Sequence, residues 1–182
     1  YGSEKDNITP NLDRLTGESI WFSDLYATGT RTVRGLEGLS VALPPLPGQS
    51  IVRREHNDHL YTLGSMLRKK DFEPMFLYGG YGAFDNMNAF FRANGYRISD
   101  RENFTEANQN FATIWGVADE LLFNEALDQL ERDSASGQKR FLHIMTTSNH
   151  RPYTFPAGKI DLPSGSRQAA VKYTDYAIGQ FI

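Results

Sequence analysis

The sequence predicts an α/β fold in which a mostly parallel central sheet is flanked by helices. Two short apolar runs, Pro74-Met75-Phe76-Leu77-Tyr78 and Phe141 to Met145, have strand length and the continuous hydrophobicity of strands buried on both faces. Around and between them lie longer segments whose apolar residues recur at helical spacing. Strands that alternate with helices need crossover connections, and a crossover through a helix makes neighbouring strands parallel. At 182 residues, one domain with a sizeable core is the expectation.

The elements follow in order. Thr9-Pro10-Asn11-Leu12-Asp13-Arg14-Leu15 reads as a short helix with Thr9 as N-cap and Pro10 where a missing N–H costs nothing. Ile20 to Ala27 (IWFSDLYA) is aromatic and apolar and reads as the first strand. Val33 to Leu43 carries apolar residues at 33, 36, 39, 42 and 43, a helix with Thr32 at its N-cap, and Pro44-Pro45-Leu46-Pro47-Gly48 breaks it. Leu60, Leu63, Met66 and Leu67 mark a helix ending near Asp71, and the strand at Pro74 to Tyr78 runs into Gly79-Gly80-Tyr81-Gly82. A helix from about Asn86 to Ala93 follows. Ala118 to Arg132 is helical and ends in Ser134-Ala135-Ser136-Gly137, ahead of the strand Phe141 to Met145. Ser166 to Ile182 keeps helical spacing to the last residue without a stop signal, which leads us to expect a piece of a longer protein.

Composition narrows the function. A net charge of -3 gives no electrostatic footprint for nucleic acid. The absence of cysteine removes disulfides, thiolate nucleophiles and thiolate metal sites. No run of 18 apolar residues is present, and Tyr1-Gly2-Ser3-Glu4-Lys5 is not a signal peptide.

In α/β sheets ligands bind beyond the carboxyl ends of the strands. Three such exits carry reactive side chains: Thr28 to Arg34, Gly79 to Asn86, and Thr146-Thr147-Ser148-Asn149-His150. In the first, Thr32 stands between Arg31 and Arg34 at a helix start, where unpaired N–H groups and the helix dipole favour an anion or a developing alkoxide. The same residues also fit a capped helix with solvated arginines. A threonine hydroxyl needs a base or a metal to become a nucleophile, and an arginine, always protonated, supplies charge but no base. His150, ahead of Arg151-Pro152, suits a phosphate oxygen or a leaving alcohol, and Asp85 and Asn86 are candidate pocket residues. His56 and His59 read as loop residues and His143 as a core histidine. Trp115-Gly116 reads as core.

At Thr28-Gly29-Thr30-Arg31-Thr32 and Thr147-Ser148-Asn149-His150-Arg151-Pro152-Tyr153 the sequence resembles the sulfatase-like phosphoglycerol transferases of the alkaline phosphatase superfamily. That group includes lipoteichoic acid synthases and osmoregulated periplasmic glucan phosphoglycerol transferases. Pro10-Asn11-Leu12-Asp13-Arg14-Leu15, Phe84-Asp85-Asn86 and Trp115-Gly116-Val117-Ala118-Asp119 fall in the family's order, so the likeness covers nearly the whole chain. The resemblance implies an alkaline phosphatase/sulfatase-like fold of which residues 1–182 are a partial catalytic domain. Thr32 would be both nucleophile and metal ligand, forming a phosphoglycerol-threonine intermediate, with His150 at the transferred phosphate and Arg31 beside it.

The resemblance also implies a divalent metal ion, Mn, Mg or Zn, whose other ligands lie outside this chain: a Glu on an earlier strand and an Asp-His pair on a later one. The implied donor is a phospholipid head group and the acceptor a glycan or polymer. Membrane attachment would run through segments absent from these residues, at the extracytoplasmic face of the bacterial cytoplasmic membrane. Phosphoethanolamine transferases share a similar Gly-Thr-x-Thr segment and Ser-His loop. A phosphodiesterase, or a non-catalytic cell-envelope binding module that has lost its metal, also remains open. Formylglycine sulfatases need Cys or Ser before x-Pro-x-Arg, which this chain lacks.

Overall fold

A computed structural model of the chain describes residues 6–27, 29–134 and 137–182. The N-terminal residues 1–5, Thr28 of the first motif, and Ala135 and Ser136 of the expected loop lie outside the described residues. Three parallel strands form the sheet in the order β2-β1-β3, with β1 at Phe72–Tyr78, β2 at Arg97–Asp100 and β3 at Lys139–Met145. Met75 pairs in register with Arg97 on one side and Leu142 on the other. The central strand is buried from Pro74 to Tyr78, which explains its unbroken apolar run.

Among the described residues, six α-helices accompany the sheet: α1 (Pro10–Glu18), α2 (Thr32–Val41), α3 (Leu63–Arg68), α4 (Met87–Ala93), α5 (Asp119–Ser134) and α6 (Arg167–Phe181). Alternation along β1 divides the core between the two faces of the sheet. Met75 and Leu77 join Leu121, Leu122, Ala126, Ala169 and Tyr173 from α5 and α6. Phe76 and Tyr78 face the opposite way, onto Val33, Leu36, Met87, Phe90 and Phe91 from α2 and α4. Phe76 and Phe91 stack with ring centroids 3.9 Å apart. The α/β expectation therefore holds, and the helices at Pro10, Val33, Leu63, Met87, Ala118 and Ser166 all form within a few residues of their expected bounds.

Two expectations change. Ile20 to Ala27 is not a strand; it is irregular, and Ile20, Phe22, Leu25 and Tyr26 are exposed. A strand needs a partner for its N–H and C=O groups. Among the described residues the ladders join β1 to β2 and β3, and this run belongs to neither ladder. Conversely, Arg97-Ile98-Ser99-Asp100 forms β2 despite having one apolar residue, because it lies against the buried edge of β1.

Candidate active site

The helix that carries Thr32 begins one residue earlier than its capping pattern suggests. Arg31 occupies the N-cap with extended dihedrals (φ -109°, ψ 147°), and Thr32 is the first helical residue. No side chain caps α2, so the Thr32 hydroxyl is not spent on a cap bond, and the residue is exposed. Gly29 lets the chain enter the helix closely: a Cβ there would lie 2.8 Å from Cβ of Arg34. Arg34 does not face a ligand. It turns back along the helix to the fully buried Glu37, Nη1 to Oε2 2.7 Å, and also bonds the Gly48 carbonyl. The other oxygen of Glu37 accepts from the Ile51 amide at 3.1 Å, and Ser50 Oγ donates to the Val33 carbonyl at 2.9 Å. These bonds fix α2 to the loop behind it and thereby fix Thr32.

The β1 exit supplies Tyr78, Phe84 and Asp85. Asp85 adopts φ 53° within a short 3-10 turn, and its carboxylate lies between two guanidinium groups, Arg31 Nη2 at 3.5 Å and Arg53 Nε at 3.3 Å. Two arginines on one carboxylate leave net positive charge beside Thr32. Burial, and then the nearby Asp85 and Asp100, push the Tyr78 phenol upward, so it stays a protonated donor. The β3 exit supplies Met145, Thr146 and His150. The His150 ring lies flat on Trp115, centroids 4.5 Å apart and planes 19° from parallel, and Trp115 Nε1 donates to the Arg151 carbonyl at 2.6 Å.

These exits meet. Thr32, Tyr78, Phe84, Asp85, Met87, Trp115, Met145, Thr146 and His150 line one small cavity of about 40 Å³ at the carboxyl edge of the sheet. Tyr78, Phe84 and Trp115 also line an adjoining, largely aromatic hollow of about 240 Å³ with Tyr81 and Ile114. Of the residues marked in the sequence, Thr32, Asp85 and His150 are brought together there, while Arg31 reaches the group through Asp85. Asn86 is not among the lining residues: its side chain donates to the Val52 carbonyl at 3.0 Å and braces the turn.

Trp115 lines the cavity and Arg53 pairs with Asp85 beside it, and the sequence reading selected neither. Trp115 looked like core, and its one clue was the following Gly116. That glycine has φ 152° and passes so close to β1 that a Cβ would lie 2.3 Å from the Gly79 carbonyl oxygen. His56 and His59 are exposed loop residues, as expected. No group of three His, Asp or Glu side chains among the described residues is placed to hold a metal ion. Thr32 can supply one oxygen ligand, and Asp85 is already held by two arginines, so the described residues do not compose a metal centre.

Thr32 at the head of α2 and His150 on the loop after β3 thus line one cavity at the carboxyl edge of the parallel sheet. The chain belongs to the sulfatase family, whose sequence model matches residues 1–182. It is 24% identical over 193 aligned residues to lipoteichoic acid synthase 2 of Bacillus subtilis, covering 100% of this chain and 29% of that protein. It is 25% identical over 158 residues to phosphoglycerol transferase I of Salmonella paratyphi B, covering 82% of this chain and 21% of that protein. The chain thus spans less than a third of the length of these curated relatives.

Among solved structures, an alkaline phosphatase superfamily protein from Vibrio parahaemolyticus superposes with a TM-score of 0.88 at 40% identity, over 96% of this chain and 43% of that one. A lipoteichoic acid synthase from Listeria monocytogenes gives a TM-score of 0.83 at 25% identity, over 96% of this chain and 45% of that one. The fold is therefore that of the alkaline phosphatase superfamily.

Proposed function

We propose that these residues carry the nucleophile side of a transferase that moves phosphoglycerol from a phospholipid to a glycan or polymer acceptor. The observation that supports it is the meeting of an uncapped Thr32 with His150 in one cavity at the sheet's carboxyl edge. The names of the curated relatives, a lipoteichoic acid synthase and a phosphoglycerol transferase, favour transfer over hydrolysis.

The chemistry runs in two displacements. Thr32 Oγ bonds to the head-group phosphorus as the bond from phosphorus to the diacylglycerol oxygen breaks, and the proton that the threonine gives up ends on the leaving diacylglycerol oxygen. His150 contacts a phosphoryl oxygen or protonates that leaving alkoxide. An acceptor hydroxyl then attacks the same phosphorus, the bond to Thr32 Oγ breaks, and the acceptor's proton ends on Thr32 Oγ. Arg31, held by Asp85, and the N–H groups at the head of α2 offset charge on the phosphoryl oxygens. A divalent cation such as Mn, Mg or Zn, when bound with Thr32 as one ligand, would favour the deprotonated hydroxyl and neutralise phosphoryl charge. Its remaining ligands would come from outside these 182 residues, which we read as a partial catalytic domain.

Because the donor is a membrane lipid, we place the complete enzyme at the extracytoplasmic face of the cytoplasmic membrane, attached through other segments. Among the described residues no helix is long and apolar enough to cross a membrane. The test is Thr32→Ala in the complete protein. Turnover should fall by about three orders of magnitude or more while circular dichroism and thermal unfolding stay unchanged. Mass spectrometry should find the phosphoglycerol adduct on Thr32 of the parent protein. Retained turnover in the variant rejects the assignment, and product analysis with and without an alcohol acceptor separates transfer of phosphoglycerol or phosphoethanolamine from hydrolysis.

A further inference from the structure

His150 owes its place to a carboxylate that does not line the cavity. The segment from Trp115 to Asp119 runs as a strut across the ends of β1 and β3. The Val117 amide donates to the Gly79 carbonyl at 2.8 Å, and Thr147 Oγ1 donates to the Val117 carbonyl at 2.7 Å. The strut ends at Asp119, the first residue of α5, which has no exposed surface. Its Oδ1 accepts from the amides of Thr147 and Ser148, both at 3.0 Å, and its Oδ2 accepts from Thr174 Oγ1 at 2.7 Å. Its own amide donates to Ser148 Oγ at 3.1 Å. Thr174 Oγ1 in turn accepts from Asn149 Nδ2 at 2.6 Å. Every residue of the turn Thr147-Ser148-Asn149 is thus tied to one carboxylate, and the His150 amide closes that turn onto the Thr147 carbonyl at 3.2 Å.

Among the described residues no ion pair reaches Asp119, so amides, one hydroxyl and the start of α5 compensate its charge. A buried carboxylate without a cation is a costly way to fill space, since an apolar side chain of similar volume packs at lower desolvation cost. What the carboxylate provides is direction: three donors converge on two oxygens with fixed angles. Trp115 and Asp119 belong to the same strut, so the indole and the loop that bears the imidazole are set from one piece of backbone.

We propose that Asp119 is the positioning residue for His150, holding the imidazole on Trp115 at the Thr32 cavity by fixing the Thr147–Asn149 backbone without touching substrate. The catalytic consequence rests on the transferase reading above; the geometric one does not.

The experiment uses the complete protein with labelled histidines, four of which lie within these 182 residues. Stacking on an indole displaces the carbon-bound ring protons of His150 upfield in the NMR spectrum, and His150→Ala assigns those signals. His143, on β3 beneath the aromatic core, reports whether the fold is intact. Asp119→Asn should abolish the His150 displacement and leave His143 unmoved. It should also lower kcat about tenfold, with KM for the donor lipid changing less than about twofold. In a His150→Ala background the same substitution should cost nothing further. An intact His150 displacement in Asp119→Asn overturns the proposal, as does an equal kcat loss in both backgrounds.

If His143 also moves, Thr174→Val removes one donor at nearly constant volume and replaces the first variant. An unchanged His150 displacement there overturns the proposal too. The NMR arm needs no turnover. A protein that transfers nothing but loses the stack in Asp119→Asn retains the positioning role and loses the function, whereas a Thr32-dependent transferase with an intact stack does the reverse.

Discussion

Arg34 and Thr32, two residues apart, show how little the residue type says about its task. The arginine is consumed by a buried glutamate, while the threonine is left open by a backbone that starts its helix one residue early. His143 is the reverse case, in which environment leaves a clear thermodynamic mark. Its ring meets Phe76 and Phe91 edge-on at 5.7 and 5.2 Å, and burial lowers its pKa from 6.5 to about 4. Between those two values the unfolded chain binds a proton that the native protein does not, so unfolding becomes easier as pH falls. The contribution is fully present above about pH 6.5 and is lost on acidification toward pH 4, a total of roughly 3 kcal/mol. His143→Leu should therefore flatten the fall of the urea midpoint between neutral pH and about pH 4.5, measured against the parent protein. An unchanged slope would show that the imidazole charges freely in the native state.

Among the elements, α6 ties the Asp119 network and α1 together through adjacent residues. Thr174 joins the Asp119 network, and the next residue, the buried Asp175, caps α1 from outside. Asp175 accepts from the Leu12 amide at 2.8 Å, the Asn11 amide at 3.1 Å and Asn11 Nδ2 at 2.9 Å. Thr9, at the N-cap, makes no capping bond and donates instead to Asp13 at 3.3 Å. The free amides of α1 thus depend on a carboxylate more than 160 positions away. Asp175→Ala should cost about 2–3 kcal/mol, because charge-assisted bonds to part-buried amides are lost together. It should also open α1 itself to limited proteolysis, whereas protection equal to the parent would mean that α1 is held by packing alone.

The same elements show where pattern reading works. Helices α2, α5 and α6 bury a face and announce it by spacing, and β1 announces itself by being covered on both sides. The Ile20 to Ala27 run had strand-like composition but joins no β-ladder among the described residues, and β2 had a ladder but little composition. Pairing is a property of two segments, so one segment's residues report it poorly.

For the whole molecule, the three-stranded sheet separates two apolar cores and β1 belongs to both. Native-state hydrogen exchange should accordingly be slowest at the amides of Met75 to Tyr78, where opening requires both cores to yield. It should be fastest in the exposed run from Ile20 to Tyr26. Slow exchange confined to one helical layer would show that the layers open independently. Composition and spacing sufficed for the α/β class, the apolar strands, most helices and the candidacy of Thr32, Arg31, Asp85 and His150, because these depend on local periodicity and on side-chain chemistry. The helix start that frees Thr32, the inward turn of Arg34, the stacking of His150 on Trp115 and the Asp119 network were settled by folding. Each joins groups distant in the chain or depends on a backbone angle, and no local pattern encodes either.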